Sequence, residues 1–159
     1  MAIRALVEHG EPEGARSLGQ VLEFMRSLWA LDHQLQSASK RMEAGSGVTG
    51  PQRLVVRIVG RFPGISAGEV SQILHLHPST LTGILKRLSD RGLVERRADP
   101  RDARRVLLHL SARGRGIDEV RSGTVEAAVR RSLQRLRPRT VQAAREAVDA
   151  ISAELERLA

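Results

Sequence analysis

Residues 66–110 read SAGEVSQILHLHPSTLTGILKRLSDRGLVERRADPRDARRVLLHL, and the change of hydrophobic period inside this stretch decides the architecture. Ser66-Ala67-Gly68-Glu69 has the form of a capping box, opening a short helix through Val70, Ile73 and Leu74. His75-Leu76-His77 then forms a turn, and Pro78 suits the first position of a following helix, where its missing N–H would be unpaired anyway. Leu81, Ile84, Leu85 and Leu88 fall at i, i+3, i+4 and i+7, one buried stripe. Ser79, Thr80, Thr82, Gly83, Lys86, Arg87 and Arg91 take the opposite face, and Gly92 closes the helix. Beyond it the pattern switches. LVERRA and RVLLHL read as two short strands, with DPRD supplying the turn of a hairpin.

Outward from this stretch the chain is helical. Upstream, Thr49-Gly50-Pro51-Gln52 is a second capping box, followed by a helix with Leu54, Val55, Ile58 and Val59 on one face; RFPGI ends it. Leu18, Val21, Leu22, Met25, Leu28, Trp29 and Leu35 recur at helical spacing and predict a long first helix to about Arg41, with EAGSGVTG as the loop after it. Residues 1–17 are polar, lack a clear period and are expected to form an N-terminal arm. Downstream, one long helix is expected from Ser111 to Leu136, broken by Pro138. In the last helix Val141, Ala144, Val148, Ile151, Leu155 and Leu158 repeat at alternating intervals of 3 and 4, the spacing of a coiled-coil seam.

Charge is concentrated where the period changes. The formal net charge of the 159 residues is +8, and residues 86–115 hold ten basic side chains against four acidic ones. Such clustering is the electrostatic footprint of a nucleic-acid binder. Aromatic side chains are limited to Phe24, Trp29 and Phe62, too few for the stacking platforms that single strands and RNA require, which leaves duplex DNA as the expected partner. There is no cysteine, so disulfides and thiolate metal sites are excluded. Apolar runs are short and charge comes early, so no membrane span or secretory segment is expected and the protein is placed in the cytoplasm.

A short helix, a tight turn, an amphipathic second helix and a basic hairpin follow one another in the order of a winged helix-turn-helix. The expected fold is mainly α with a small β-hairpin wing. Residues 48–110 form its DNA-binding domain; 18–47 and 111–159 form helical extensions that serve dimerization. In such a fold the second helix of the pair enters the major groove. Ser79, Thr80 and Thr82, near its start, are the candidates for base edges or phosphate, while Lys86, Arg87 and Arg91 are candidates for phosphate. On the wing, Arg101 and Arg104 suit the narrow, electronegative minor groove, with Arg96, Arg97 and Arg105 flanking the backbone. Asp99 and Asp102 are expected to orient them by accepting charge-assisted hydrogen bonds from neighbouring guanidinium groups.

These residues, with TGPQRLVVRIV and the two flanking helical segments, resemble the MarR family of bacterial transcriptional regulators over about residues 18–158. The D-P-x-D-x-R wing after RGLVERR is the most specific part of the likeness. The resemblance implies a homodimer built from the first and the last two helices, palindromic operators, and repression relieved by a small, often aromatic or phenolic, ligand. Gly83 departs from it, since the family often carries a larger polar or basic residue there. For the ligand, Trp29 and His33 on the first helix and Arg57 and Arg61 on the second can hold an aromatic ring and an anion, although a core Trp and solvated arginines are the plainer reading.

Other function classes find less support. His75 and His77, with His33 and His109 elsewhere, lack a third ligand beside them, so no metal site is expected. No Ser/His/Asp set, paired carboxylates or phosphate loop stands in context; GSG at Gly45 is too short for the last, and neither catalysis nor a cofactor is implied. The alternative is a helical protein-interaction module with the same fold and no specific DNA binding.

Overall fold

Both capping boxes close as the spacing predicts. Gln52 N–H donates to Thr49 Oγ1 (3.4 Å) while Thr49 N–H donates to Gln52 Oε1 (3.2 Å). Glu69 N–H donates to Ser66 Oγ (3.3 Å) while Ser66 N–H donates to Glu69 Oε2 (2.8 Å). The computed structural model describes residues 18–158, so the expected arm at 1–17 lies outside the described residues. Along the chain come α1 (Gly19–Ser46), α2 (Gly50–Arg61), β1 (Ile65–Ser66), α3 (Ala67–Leu74), α4 (Pro78–Asp90), β2 (Val94–Asp99), β3 (Asp102–Leu110), α5 (Ala112–Glu119), α6 (Val125–Leu133) and α7 (Pro138–Glu156). The described fold is mainly α with a small antiparallel sheet, as expected. Two compact units divide at Gln34 and Leu35.

The first unit holds Leu18 and the front of α1, whose Val21, Leu22, Phe24, Met25, Trp29 and Leu31 are, like Leu18, exposed. In the second unit α1 ends one turn later than its pattern predicts. Gly47, at φ 78°, donates its N–H to Glu43 O (2.7 Å), and Ser46 Oγ donates to Met42 O (2.8 Å). A glycine cap therefore extends the helix through Glu43-Ala44-Gly45-Ser46, which the sequence reading assigned to the loop.

The core is made by Val48, the inner faces of α2, α3 and α4, and the sheet: Val55, Val56, Val59, Val70, Leu81, Ile84, Leu85, Leu88, Leu93, Val94, Leu108 and Leu110. The α4 stripe is buried as predicted; on α2 the stripe is rotated, with Val56 inside and Leu54 exposed. The sheet has three strands in the order β1-β3-β2, because Ile65 pairs with Leu108 ahead of α3. Strand β3 starts at Asp102 rather than Arg105, and its ladder with β2 shifts: Ala98 pairs with Val106 but Asp99 pairs with Asp102. Arg104 and Arg105 fall within that shift.

The expected single helix after Ser111 is two. Val120 leaves α5 with extended backbone, Gly123 takes φ 67°, and Thr124 caps α6 by accepting from Ala127 N–H (3.1 Å). Gly-Thr thus supplies a new helix start inside a run that periodicity alone reads as continuous. Pro138 opens α7 as its first residue.

Candidate nucleic-acid interface

Helix α4 exists because Pro78 presets its first turn and four apolar residues anchor one side; Ser79, Thr80, Thr82, Lys86, Arg87 and Arg91 are all exposed. Their hydrogen-bonding states differ. The helix is capped by His77, whose Nδ1 accepts from Ser79 N–H (3.3 Å) and lies 2.7 Å from Ser79 Oγ. Thr82 Oγ1 donates back to Pro78 O (2.8 Å). Lys86 pairs with Asp90 (2.7 Å) one turn on, an exposed contact worth at most about 1 kcal/mol and easily exchanged for a phosphate. The Thr80 hydroxyl and the Arg87 guanidinium have no partner among the described residues. Around Gly83 there is open space.

Arg91 Nη1 donates to Gly47 O, just past the end of α1, while its side chain stays exposed.

At the wing the aspartates act on the backbone. Asp99 Oδ1 accepts from Arg101 N–H (2.9 Å) and Asp102 Oδ1 from Arg104 N–H (3.0 Å). These are Asx turns, which shape the tip by fixing main-chain direction. The expected carboxylate–guanidinium contacts are absent from the described residues, because a carboxylate two residues before an N–H reaches it without ordering a long side chain. The guanidinium groups of Arg96, Arg101 and Arg104 are left exposed and unpaired among the described residues. Arg97 pairs with Glu95 (2.8 Å), and Arg105 approaches Glu69 (3.6 Å). The Ser66 hydroxyl and then the Ser66 N–H hold the Glu69 carboxyl below the ordinary glutamate range, with Arg105 adding to the effect.

The four residues considered for a ligand have separate settings. Trp29 (62% exposed) and His33 lie on α1 in the first unit. Arg57, in the second, donates to Asp118 Oδ1 (2.6 Å) and pairs with Glu126 (3.2 Å), so it is a structural cation; Arg61 is exposed at the end of α2. Sequence reasoning missed Arg53. It is only 2% exposed, and it donates to Glu126 Oε2 (2.5 Å), Ile117 O (2.5 Å) and Val120 O (2.6 Å), joining α2 to the end of α5 and the start of α6.

Both turn histidines have local tasks: His75 ends α3 in a left-handed conformation (φ 49°) and His77 caps α4. No group of three or more metal-ligating side chains occurs among the described residues. Nor, among them, is any helix long and apolar enough to cross a membrane. On α7 and just beyond it, Val148, Leu155 and Leu158 are exposed, Ala144 likewise, and Val141 and Ile151 are half-buried.

Comparison with known proteins agrees with this geometry. Residues 46–105 match the model of the MarR family. The chain is 35% identical over 57% of its length to the HTH-type transcriptional regulator TtmR of Methylorubrum extorquens, covering 47% of that protein. It is 32% identical, again over 57% of its length, to an HTH-type transcriptional repressor of Mycobacterium bovis, covering 65% of it. The matched stretch therefore spans less than two thirds of either relative. Among solved structures, that of Streptococcus pneumoniae FabT in complex with DNA superposes with a TM-score of 0.66 at 20% identity, over 88% of this chain and all of that one, which shows the shared winged-helix fold. Residues 46–105 thus form a stretch similar to the MarR family, set within a winged-helix fold.

Proposed function

We propose that the protein is a non-enzymatic, sequence-specific duplex-DNA-binding transcriptional regulator, acting in the cytoplasm as a homodimer on palindromic operators. One observation carries the reading. A helix with an exposed hydroxyl and cation face is followed by a wing whose Arg96, Arg101 and Arg104 guanidinium groups are unpaired among the described residues and whose backbone is held by Asx turns. The names of the relatives, a transcriptional regulator and a transcriptional repressor, and a DNA complex of the same fold support it. In this reading Ser79, Thr80 and Thr82 face bases or phosphate, Lys86 and Arg87 hold phosphate, and Arg101 and Arg104 enter the minor groove, with Arg96, Arg97 and Arg105 beside the backbone. Arg91 stays a phosphate candidate, since its exposed guanidinium keeps further N–H groups beyond the one on Gly47 O.

Exposed apolar side chains on α1 and along the Val141–Leu158 seam call for a second copy of the chain. A dimer would set two reading heads about 10 bp apart on one face of the duplex. Repression relieved by a small aromatic or phenolic ligand completes the proposal, with Trp29 and His33 on α1 as its candidate contacts. Fluorescence anisotropy against the gene's own upstream duplex, together with sedimentation of the free protein, tests the proposal. It calls for a dimer and for tighter binding to one segment than to scrambled duplex of equal length. Uniform affinity for all duplexes, or none, would favour the protein-interaction module instead.

A further inference from the structure

The head of α4 shows how its hydroxyl groups are polarised. In the tautomer with its ring proton on Nε2, His77 Nδ1 accepts from Ser79 N–H (3.3 Å). Ser79 Oγ lies 2.7 Å from the same unprotonated nitrogen, so the contact is a hydrogen bond only if the hydroxyl gives its proton to the ring. Toward solvent Ser79 then offers lone pairs alone. Thr82, three residues on and on the same face, has given its proton to Pro78 O (2.8 Å) and is an acceptor outward as well.

We propose that His77 is a specificity-determining positioning residue that makes Ser79 an acceptor-only reader, selecting amino-bearing bases (adenine or cytosine) over keto-bearing ones (guanine or thymine). The inference rests on the DNA-binding reading above and deepens it. Phosphate oxygens, being acceptors, cannot satisfy such a hydroxyl, whereas adenine N6 and cytosine N4 present N–H donors in the major groove. Every base pair carries one amino and one keto group there, so the residue reads which strand holds the amino group. The His77 Nε2–H is left as a donor for a flanking phosphate. A hydroxyl free to rotate would accept either class, so without His77 the preference disappears while Ser79 remains.

Selection from a randomised duplex library with the full-length chain at pH 8, where histidine side chains are ordinarily neutral, tests this. The wild type is expected to enrich A or C by about tenfold at one position per half-site, and Ser79→Ala to flatten that position alone. His77→Ala should admit G and T there with other positions kept. His77→Asn, whose side-chain oxygen can take the same two protons, should retain the preference and serves as the control for lost capping. Enrichment of G or T at the position altered by Ser79→Ala, identical profiles for wild type and His77→Ala, or a Ser79→Ala profile unchanged everywhere would overturn the inference while leaving DNA binding intact. If the wild type selects no motif at all, the functional reading itself falls and takes this inference with it.

Discussion

A Cβ on Gly114 would stand 2.0 Å from the Leu93 carbonyl oxygen, a main-chain atom that cannot swing aside. Gly114→Ala should therefore force α5 off the sheet, costing about 3 kcal/mol and lowering the melting temperature by about 6–12 °C. A melting temperature within 2 °C of wild type would contradict that packing. The same scale explains why Arg53 was illegible. Its neighbours Gln52, Val55, Val56 and Val59 form the inner face of α2, yet an arginine in a basic chain reads by default as solvated. Only the fold brings the Ile117 and Val120 carbonyls to it. Arg53→Met should destabilise by about 3 kcal/mol, whereas Arg57→Ala, at a side chain 35% exposed, should cost about 1 kcal/mol or less. Urea unfolding that ranked the two in the opposite order would remove Arg53 from its structural role. Asp99 and Asp102 were legible as the residues that organise the wing, but their targets were not, because sequence does not distinguish a nearby guanidinium from a nearer N–H.

Among elements, α3 and α4 were read almost to the residue, since a capping box, a proline and a clean i, i+3, i+4, i+7 stripe all agree there. The break between α5 and α6 was not, because apolar spacing continues across it and a single Gly-Thr start signal opposes that spacing. The two-residue strand β1 was hidden for a related reason: one pair of residues carries no period. Glu69 closes the α3 box with its carboxyl held below the ordinary range, so its unfolded form binds the proton more readily than the folded one. The stability it contributes is then fully present above the unfolded glutamate pKa and is lost as pH falls through the lower folded value. Glu69→Gln should flatten that acid limb in pH-dependent urea unfolding; an unchanged limb would show that the box carries no proton linkage. On α4, Gly83 faces open space inside a helix, so Gly83→Ala should stabilise the protein by about 1 kcal/mol without a steric penalty. A loss of stability in thermal unfolding would mean that the helix needs the glycine.

For the whole molecule, net charge, its concentration in residues 86–115 and the order of elements were legible together in the sequence, and they point to duplex DNA. What folding added is a sorting of the cations. Arg53 and Arg57 are consumed in holding helices, Arg91 donates to the Gly47 carbonyl from an exposed side chain, Arg97 and Arg105 have acidic neighbours, and Arg96, Arg101 and Arg104 keep exposed guanidinium groups. Wing contact with DNA therefore runs through that last group. The salt dependence of binding tests it most directly: anisotropy titrations of a selected duplex by wild type, Arg101→Ala/Arg104→Ala and, as a comparison, Arg135→Ala, each at several salt concentrations. If both wing arginines neutralise phosphate charge, the double variant should bind more weakly and its log–log salt slope should be shallower by about 1.8, with Arg135→Ala unchanged. Equal affinities and equal slopes for wild type and the double variant would contradict the wing as a DNA contact.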